Sequence, residues 1–315
     1  MLTALFPWGA ILLGFIGLVW SADRFVEGSV TIAGNLGISK LIIGLTVVAF
    51  GTSAPEVLVS ISSSFKDAGE LAVGNAIGSN LANVGMVLGL TALIVPLPVK
   101  DHILKQEFLV MLLVMGISGV FLWDAQLQFW EGLVLVILLA PLIFWIAYDK
   151  KRHPEEIEEV EMLPLKAGAF WFMVGIIALI FSAEILVWGA QKVALSLGVS
   201  PMIIGLTVVA VGTSLPELAA SITSALKGHH DIAIGNVLGS NMFNLLLVMG
   251  IAPLINPIVM DHQVFTRDFA AMILITLLLG LFMWIGYSRN KQAQIGKFSG
   301  GLLLLFYIGY YFVLI

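Results

Sequence analysis

The chain has 315 residues, 59% of them hydrophobic and only 11% charged, with a mean hydropathy of +1.04 and a formal net charge of -5. A soluble domain carries about 25% charged residues, so this composition excludes a soluble globular protein and describes a chain that crosses a bilayer many times. Cysteine is absent, which excludes disulfides, thiolate metal sites and thiol nucleophiles; the small net charge names no partner, and no nucleic acid is expected.

Apolar runs of about 20 residues span a hydrocarbon core. The charged breaks leave ten such runs, at 8–34, 38–65, 70–95, 103–123, 127–148, 165–196, 199–226, 231–256, 264–288 and 295–315. The expected fold is therefore an all-α polytopic membrane protein. No Lys or Arg precedes the first run, so it reads as a helix and not as a signal peptide. Asp23 and Glu27 lie toward its far end, where water or headgroups are expected.

The second run contains VVAFGTSAPEVLVSISSS, residues 47–64. A continuous helix over the whole run would be about 42 Å long, too long for a core of about 30 Å unless tilted or broken. Proline inside a helix lacks an N–H and clashes with the preceding turn, so a break is expected at Pro55, freeing the carbonyls of Gly51 and Ala49. Irregular backbone at membrane depth survives only where it is buried in protein or lines a wet cavity. Glu56 follows the proline and stands near the midplane, about 15 Å of helix rise from Lys66. Thr52, Ser53 and Glu56 share about one turn. In the third run, GNAIGSNLAN (74–83) brings Ser79 and Asn83 to similar depth on one face by their i, i+4 spacing. Asn75 is placed to support the neighbouring broken backbone, while Ser60, Ser62, Ser63 and Ser64 fit helix packing and back-bonding.

The fourth and fifth runs carry no such constellation. The loop DKKRHPEEIEEVEMLP, residues 149–164, is a charged linker. Beyond it the sequence repeats: a shift of 161 residues aligns 36–89 with 197–250 without a gap. The sixth run holds Glu184 where the first holds Asp23. The seventh contains VVAVGTSLPELAASITSA (208–225), with a second break expected at Pro216, freeing the carbonyls of Gly212 and Ala210. The eighth contains GNVLGSNMFN (235–244). The second copy thus offers Thr213, Ser214, Glu217, Ser240 and Asn244, with Asn236 in the place of Asn75. Gly74, Gly78, Gly235 and Gly239 form small-xxx-small patterns that bring helices close.

Three segments follow: an N-terminal five-helix repeat at 1–148, a linker at 149–164 and a C-terminal five-helix repeat at 165–315. An odd number of helices per half inverts the second copy, and inverted repeats are a mark of secondary transporters with midplane sites. Of the 15 basic residues, all but Lys66, Lys192 and Arg267 fall after odd-numbered runs. By the positive-inside rule the 149–164 loop is cytosolic and both termini lie outside the cytosol.

Every candidate ligand is an oxygen, which suits hard cations such as Ca²⁺ and Na⁺ and not zinc or copper. Two buried carboxylates call for a cation or a proton at all times. The five histidines lie near helix ends without a metal spacing, and no nucleophile–base pair stands at membrane depth, so no enzymatic reaction and no cofactor is expected.

GTSAPE…GNAIGSNLAN and GTSLPE…GNVLGSNMFN resemble the two alpha repeats of the sodium/calcium exchanger family, within the cation/calcium antiporter superfamily, and the ten-helix layout resembles its prokaryotic members. The resemblance implies exchange of Na⁺ for Ca²⁺ by alternating access in a prokaryotic plasma membrane. Glu56 and Glu217 would be the central ligands. Thr52, Ser53, Ser79, Asn83, Thr213, Ser214, Ser240 and Asn244, with the carbonyls of Ala49 and Ala210, would complete the ion sites, and helices 1 and 6 would slide. The proton-coupled branch carries its glutamate in a different context, which favours sodium; Ca²⁺/H⁺ or other cation/H⁺ antiport on the same fold is the alternative. Some members, potassium-dependent ones included, have aspartate where this chain has Asn83 or Asn244, and amides at both positions argue against potassium co-transport.

Overall fold

The computed structural model describes residues 2–152, 163–199, 208, 210–290 and 293–314. The first apolar run forms α1, Leu2–Leu36. The second forms α2, Lys40–Thr52, and α3, Ala54–Phe65, which meet at a bend of 42°. Then come α4 (Gly69–Ile94), α5 (Ile103–Leu122), α6 (Phe129–Arg152) and α7 (Leu165–Ser196). The described part of the seventh run is α8, Ala210–Thr213, and α9, Leu215–Leu226. The chain continues through α10 (His230–Ile255), α11 (Val264–Ser288) and α12 (Lys297–Leu314). Among the described residues eight helices are long and apolar enough to cross a membrane, or nine with α2 and α3 taken as one span. The remaining expected span, 199–226, and most of the 149–164 linker lie partly outside the described residues.

The breaks stand one to two residues earlier than the prolines implied. Ser53 (φ -84°, ψ 5°) and Ser214 (φ -90°, ψ 6°) are the non-helical residues. Pro55 and Pro216 sit in the first turns of α3 and α9, where a missing N–H costs nothing because those amides have no partner within the helix. The proline starts the new helix instead of interrupting the old one. The Ala49 carbonyl is not freed either, since it accepts the Ser53 N–H at 3.0 Å.

The fold is mostly helical, as expected, with one small addition. Two short antiparallel ladders tie helix ends together: Leu97–Val99 pairs with Ala293–Ile295, and Gln126–Leu127 with Ile258–Val259. Each joins a segment of the first half to one of the second.

Helices α4 and α10 form the centre, with 78% of each apolar window buried inside the protein against 44% or less for α5, α6, α7, α11 and α12. The small residues of α10 explain the close packing there. A Cβ on Gly235 would stand 2.9 Å from the Leu41 carbonyl oxygen and 3.0 Å from the Leu45 nitrogen, so α2 runs directly against the glycine. Among the described residues Gly74 and Gly78 meet nothing within 4 Å; residues 202–206, the counterpart of the Leu41–Leu45 stretch that meets Gly235, lie outside them.

Outside this centre α1 lies along α7. Gly14 faces Leu186, Gly17 faces Ser182 and Gly28 faces Phe172, so the two helices run antiparallel. Toward the far end of α1, Arg24 pairs with Glu27 at 2.7 Å and Asp23 at 3.0 Å, and Lys227 reaches Asp23 at 2.5 Å from the end of α9. The acids of α1, for which water or headgroups were expected, are held in ion pairs with basic side chains.

Candidate ion-binding site

Each break hands its acidic residue to the first turn of the following helix. Glu56 and Glu217 are the third residues of α3 and α9, and both are fully buried, at 1% and 0% exposure. Their main-chain carbonyls are held by α4 and α10: Asn75 Nδ2 donates to the Glu56 oxygen at 3.5 Å, and Asn236 Nδ2 to the Glu217 oxygen at 3.4 Å. Asn75 and Asn236 thus play the supporting part expected of them.

Hydroxyls orient the carboxylates. Ser79 Oγ donates to Glu56 Oε1 at 3.4 Å within the first half. Ser53 Oγ crosses between halves to Glu217 Oε1 at 3.2 Å. Thr52 Oγ1 is shared between Asn236 Oδ1 at 3.1 Å and the Ala49 carbonyl at 3.3 Å, and Ser240 Oγ reaches the same carbonyl at 3.5 Å. Glu56 and Glu217 lie close enough for their charges to interact.

Ten of the twelve expected residues are thereby seen as a buried group: Ala49, Thr52, Ser53, Glu56, Ser79, Asn83, Ser214, Glu217, Ser240 and Asn244. Thr213 is half-buried at the end of α8, and Ala210 begins that helix. Ser53 binds the opposite carboxylate, whereas its mate Ser214 has no hydrogen-bond partner among the described residues.

Glu56 Oε2, Glu217 Oε2, Asn83 Oδ1, Asn244 Oδ1 and Ser214 Oγ are all buried with no hydrogen-bond partner among the described residues. A buried acceptor left without a partner forfeits the full cost of its lost hydration, and of the nine unpartnered buried side-chain atoms among the described residues these five belong to the expected ligand set. All five are oxygens. No group of three or more His, Cys, Asp or Glu is found among the described residues, so the donor set is two carboxylates surrounded by neutral oxygens. That is coordination for a hard cation.

Sequence reasoning passed over two buried residues that bond Asn83 and Asn244. Asn80 and Asn241, the third letters of the duplicated GSN, are buried at 1% and 2% exposure. Asn83 Nδ2 donates to Asn241 Oδ1 at 3.1 Å, Asn244 Nδ2 to Asn80 Oδ1 at 3.1 Å, and Asn80 Nδ2 to the Asn241 carbonyl at 3.2 Å. Their signal was the repeat itself. At Asn83 and Asn244, moreover, α4 and α10 each widen into a π-helical turn, Asn83–Leu88 and Asn244–Val248, a distortion frequent at functional sites.

Comparison with known proteins identifies the family. The family described as sodium/calcium exchanger protein matches residues 6–148 and again 167–315. The inner membrane protein YrbG of Escherichia coli is 37% identical over 306 residues, covering 93% of this chain and 92% of its own. The sodium/calcium exchanger MaX1 of Methanosarcina acetivorans is 31% identical, with 96% and 97% covered. A solved structure of the sodium-calcium exchanger NCX_Mj superposes with a TM-score of 0.84 at 33% identity over 98% of both chains. The chain is a multi-pass membrane antiporter that belongs to the sodium/calcium exchanger family.

Proposed function

We propose that the protein exchanges Na⁺ for Ca²⁺ by exposing one midplane site alternately to the two sides of the membrane. The observation that carries this is the set of five buried, unpartnered oxygens centred on Glu56 and Glu217. A Ca²⁺ ion takes six to eight oxygen ligands, and two carboxylates neutralise its charge. Thr52, Ser53, Ser79, Thr213, Ser240 and the carbonyls of Ala49 and Ala210 complete the oxygen shell and the neighbouring Na⁺ positions. Several Na⁺ occupying the same oxygens compete with Ca²⁺, and that competition is the coupling.

The architecture we assign is ten spans in two inverted five-helix halves, 1–148 and 165–315. The antiparallel course of α1 and α7 supports it, as does the family match falling once on each half. So do the amide pairs 80 with 244 and 83 with 241, in which α4 and α10 meet at the same depth while running in opposite directions. The pair α1 and α7 packs outside the site and is the element that slides past it. By its basic-residue pattern the chain lies with both termini outside the cytosol, in the inner membrane as YrbG is named.

The test is uptake of ⁴⁵Ca²⁺ into proteoliposomes. Vesicles loaded with Na⁺ and diluted into Na⁺-free medium take up Ca²⁺, whereas choline-loaded vesicles do not. Uptake driven by a pH gradient in the absence of Na⁺ would transfer the protein to the Ca²⁺/H⁺ alternative.

A further inference from the structure

Asn80 and Asn241 are buried, uncharged and outside the proposed ligand set. We infer that they are positioning residues: each holds the side-chain amide of an ion ligand from the opposite half so that its oxygen, and not its nitrogen, faces the ion. The inference rests on Asn83 and Asn244 being ligands, as proposed above.

A side-chain amide has two ways round, which differ by exchanging an acceptor for two donors. Beside two carboxylates, an amide left to itself turns its N–H groups inward, because that satisfies the acids. It would then present hydrogens to an arriving cation. The structure has the opposite arrangement. Asn83 Nδ2 is drawn outward by Asn241 Oδ1, and Asn244 Nδ2 by Asn80 Oδ1, both at 3.1 Å, while Asn83 Oδ1 and Asn244 Oδ1 are the atoms left buried and unpartnered. Turning Asn83 round would set its oxygen against the Asn241 oxygen and replace an attraction by a repulsion.

One of the holders, Asn80, is itself fixed. Asn80 Nδ2 donates to the Asn241 main-chain oxygen at 3.2 Å and touches Met272 Sδ at 3.5 Å. Its oxygen is thereby left pointing away for Asn244. Ser79 and Asn83 lie on one face of α4, and Ser79 already touches Glu56, so the face that Asn83 presents is the one that meets the carboxylates. The pairs cross between halves, and each half therefore completes the other's ligand.

A merely structural role, in which the four amides staple α4 to α10, makes a different prediction. Stapling residues alter stability and act independently of Asn83. The experiment is the Ca²⁺ dependence of Na⁺-driven ⁴⁵Ca²⁺ uptake for the wild type, Asn83→Ala, Asn241→Leu and the double variant, with thermal melting of each in detergent. Asn83→Ala and Asn241→Leu should each raise the half-saturating Ca²⁺ concentration about tenfold, ~1.4 kcal/mol. The double variant should be no worse than Asn83→Ala alone, because there is no amide left to hold. Wild-type affinity in Asn241→Leu, or losses that multiply toward a hundredfold in the double variant, overturns the inference while leaving Asn83 a ligand. Wild-type affinity in Asn83→Ala removes the ligand assignment and the inference with it. If Asn241→Leu does not fold, Asn241→Ser, too short to reach Asn83, makes the same comparison.

Discussion

Replacing Glu217 by Gln removes one of the two charges at the site and little else. The side chain is fully buried, its Oε1 accepts from Ser53 and its Oε2 has no partner. Gln fits the same space, and the Ser53 hydroxyl can rotate to accept from the new amide, so one oxygen still faces the ion. What disappears is the charge. Unit charges about 4 Å apart interact by roughly 4 kcal/mol at an effective dielectric constant near 20, and a divalent ion doubles that. The smaller cost of dehydrating a less charged site offsets part of it. A net loss of about 4 kcal/mol corresponds to roughly a thousandfold in Ca²⁺ affinity. A monovalent ion loses about half as much on the logarithmic scale, so Na⁺ binding suffers far less than Ca²⁺ binding. The assay is Ca²⁺ titration by calorimetry in detergent, with Na⁺-gradient-driven ⁴⁵Ca²⁺ uptake in parallel and thermal melting as the folding control. Calcium affinity within threefold of wild type, or equal losses for Na⁺ and Ca²⁺, would refute the assignment of Glu217 as a charge-bearing ligand.

Protons and Ca²⁺ claim the same carboxylate oxygens, so acid should inhibit Ca²⁺ uptake and raising Ca²⁺ should move the midpoint of inhibition to lower pH; a midpoint indifferent to Ca²⁺ refutes the competition. In this cysteine-free chain, Asp67→Cys and Glu156→Cys should react with a membrane-impermeant maleimide from opposite sides, position 67 from outside and position 156 from the cytosol. Labelling of both from one side contradicts the inverted arrangement. Gly235→Ala places a methyl 2.9 Å from the Leu41 carbonyl, which neither helix backbone can yield cheaply, and should lower stability by about 1–3 kcal/mol. Gly309→Ala, with nothing within 4 Å, should leave the melting temperature of the detergent-solubilised protein unchanged or slightly raised, and equal effects at the two positions would refute the packing argument.

The carboxylates and their hydroxyl partners were legible because the chain states them twice, and a buried glutamate beside a proline is costly enough to demand a reason each time. The exact place of the breaks was less legible. Proline signals an interruption, but its geometry also suits the first turn of a helix, and the packing around Ser53 and Ser214 puts the interruption just ahead of it. Asn80 and Asn241 were hidden for a different reason. Their partners lie more than 150 residues away on the other half, and only the docking of α4 on α10 reveals which amide faces which. The strand ladders are equally non-local, pairing residues 97–99 with 293–295 in segments too short to carry a pattern of their own.

The bend between α2 and α3 has an electrostatic consequence. The end of α2 presents main-chain oxygens, equivalent to about half a negative charge, while the start of α3 presents amide hydrogens, equivalent to about half a positive one. Only Ser53 separates them. Glu56 stands in the first turn of α3, and Glu217 stands likewise in the first turn of α9, so each carboxylate rests against a fixed positive field. That field offsets part of the acid's charge before any ion arrives. The grip on a cation is therefore weaker than two bare carboxylates would exert. For a carrier this is an advantage, since an ion held too tightly is never released and turnover stops. The same break that builds the site also sets an upper limit on its affinity.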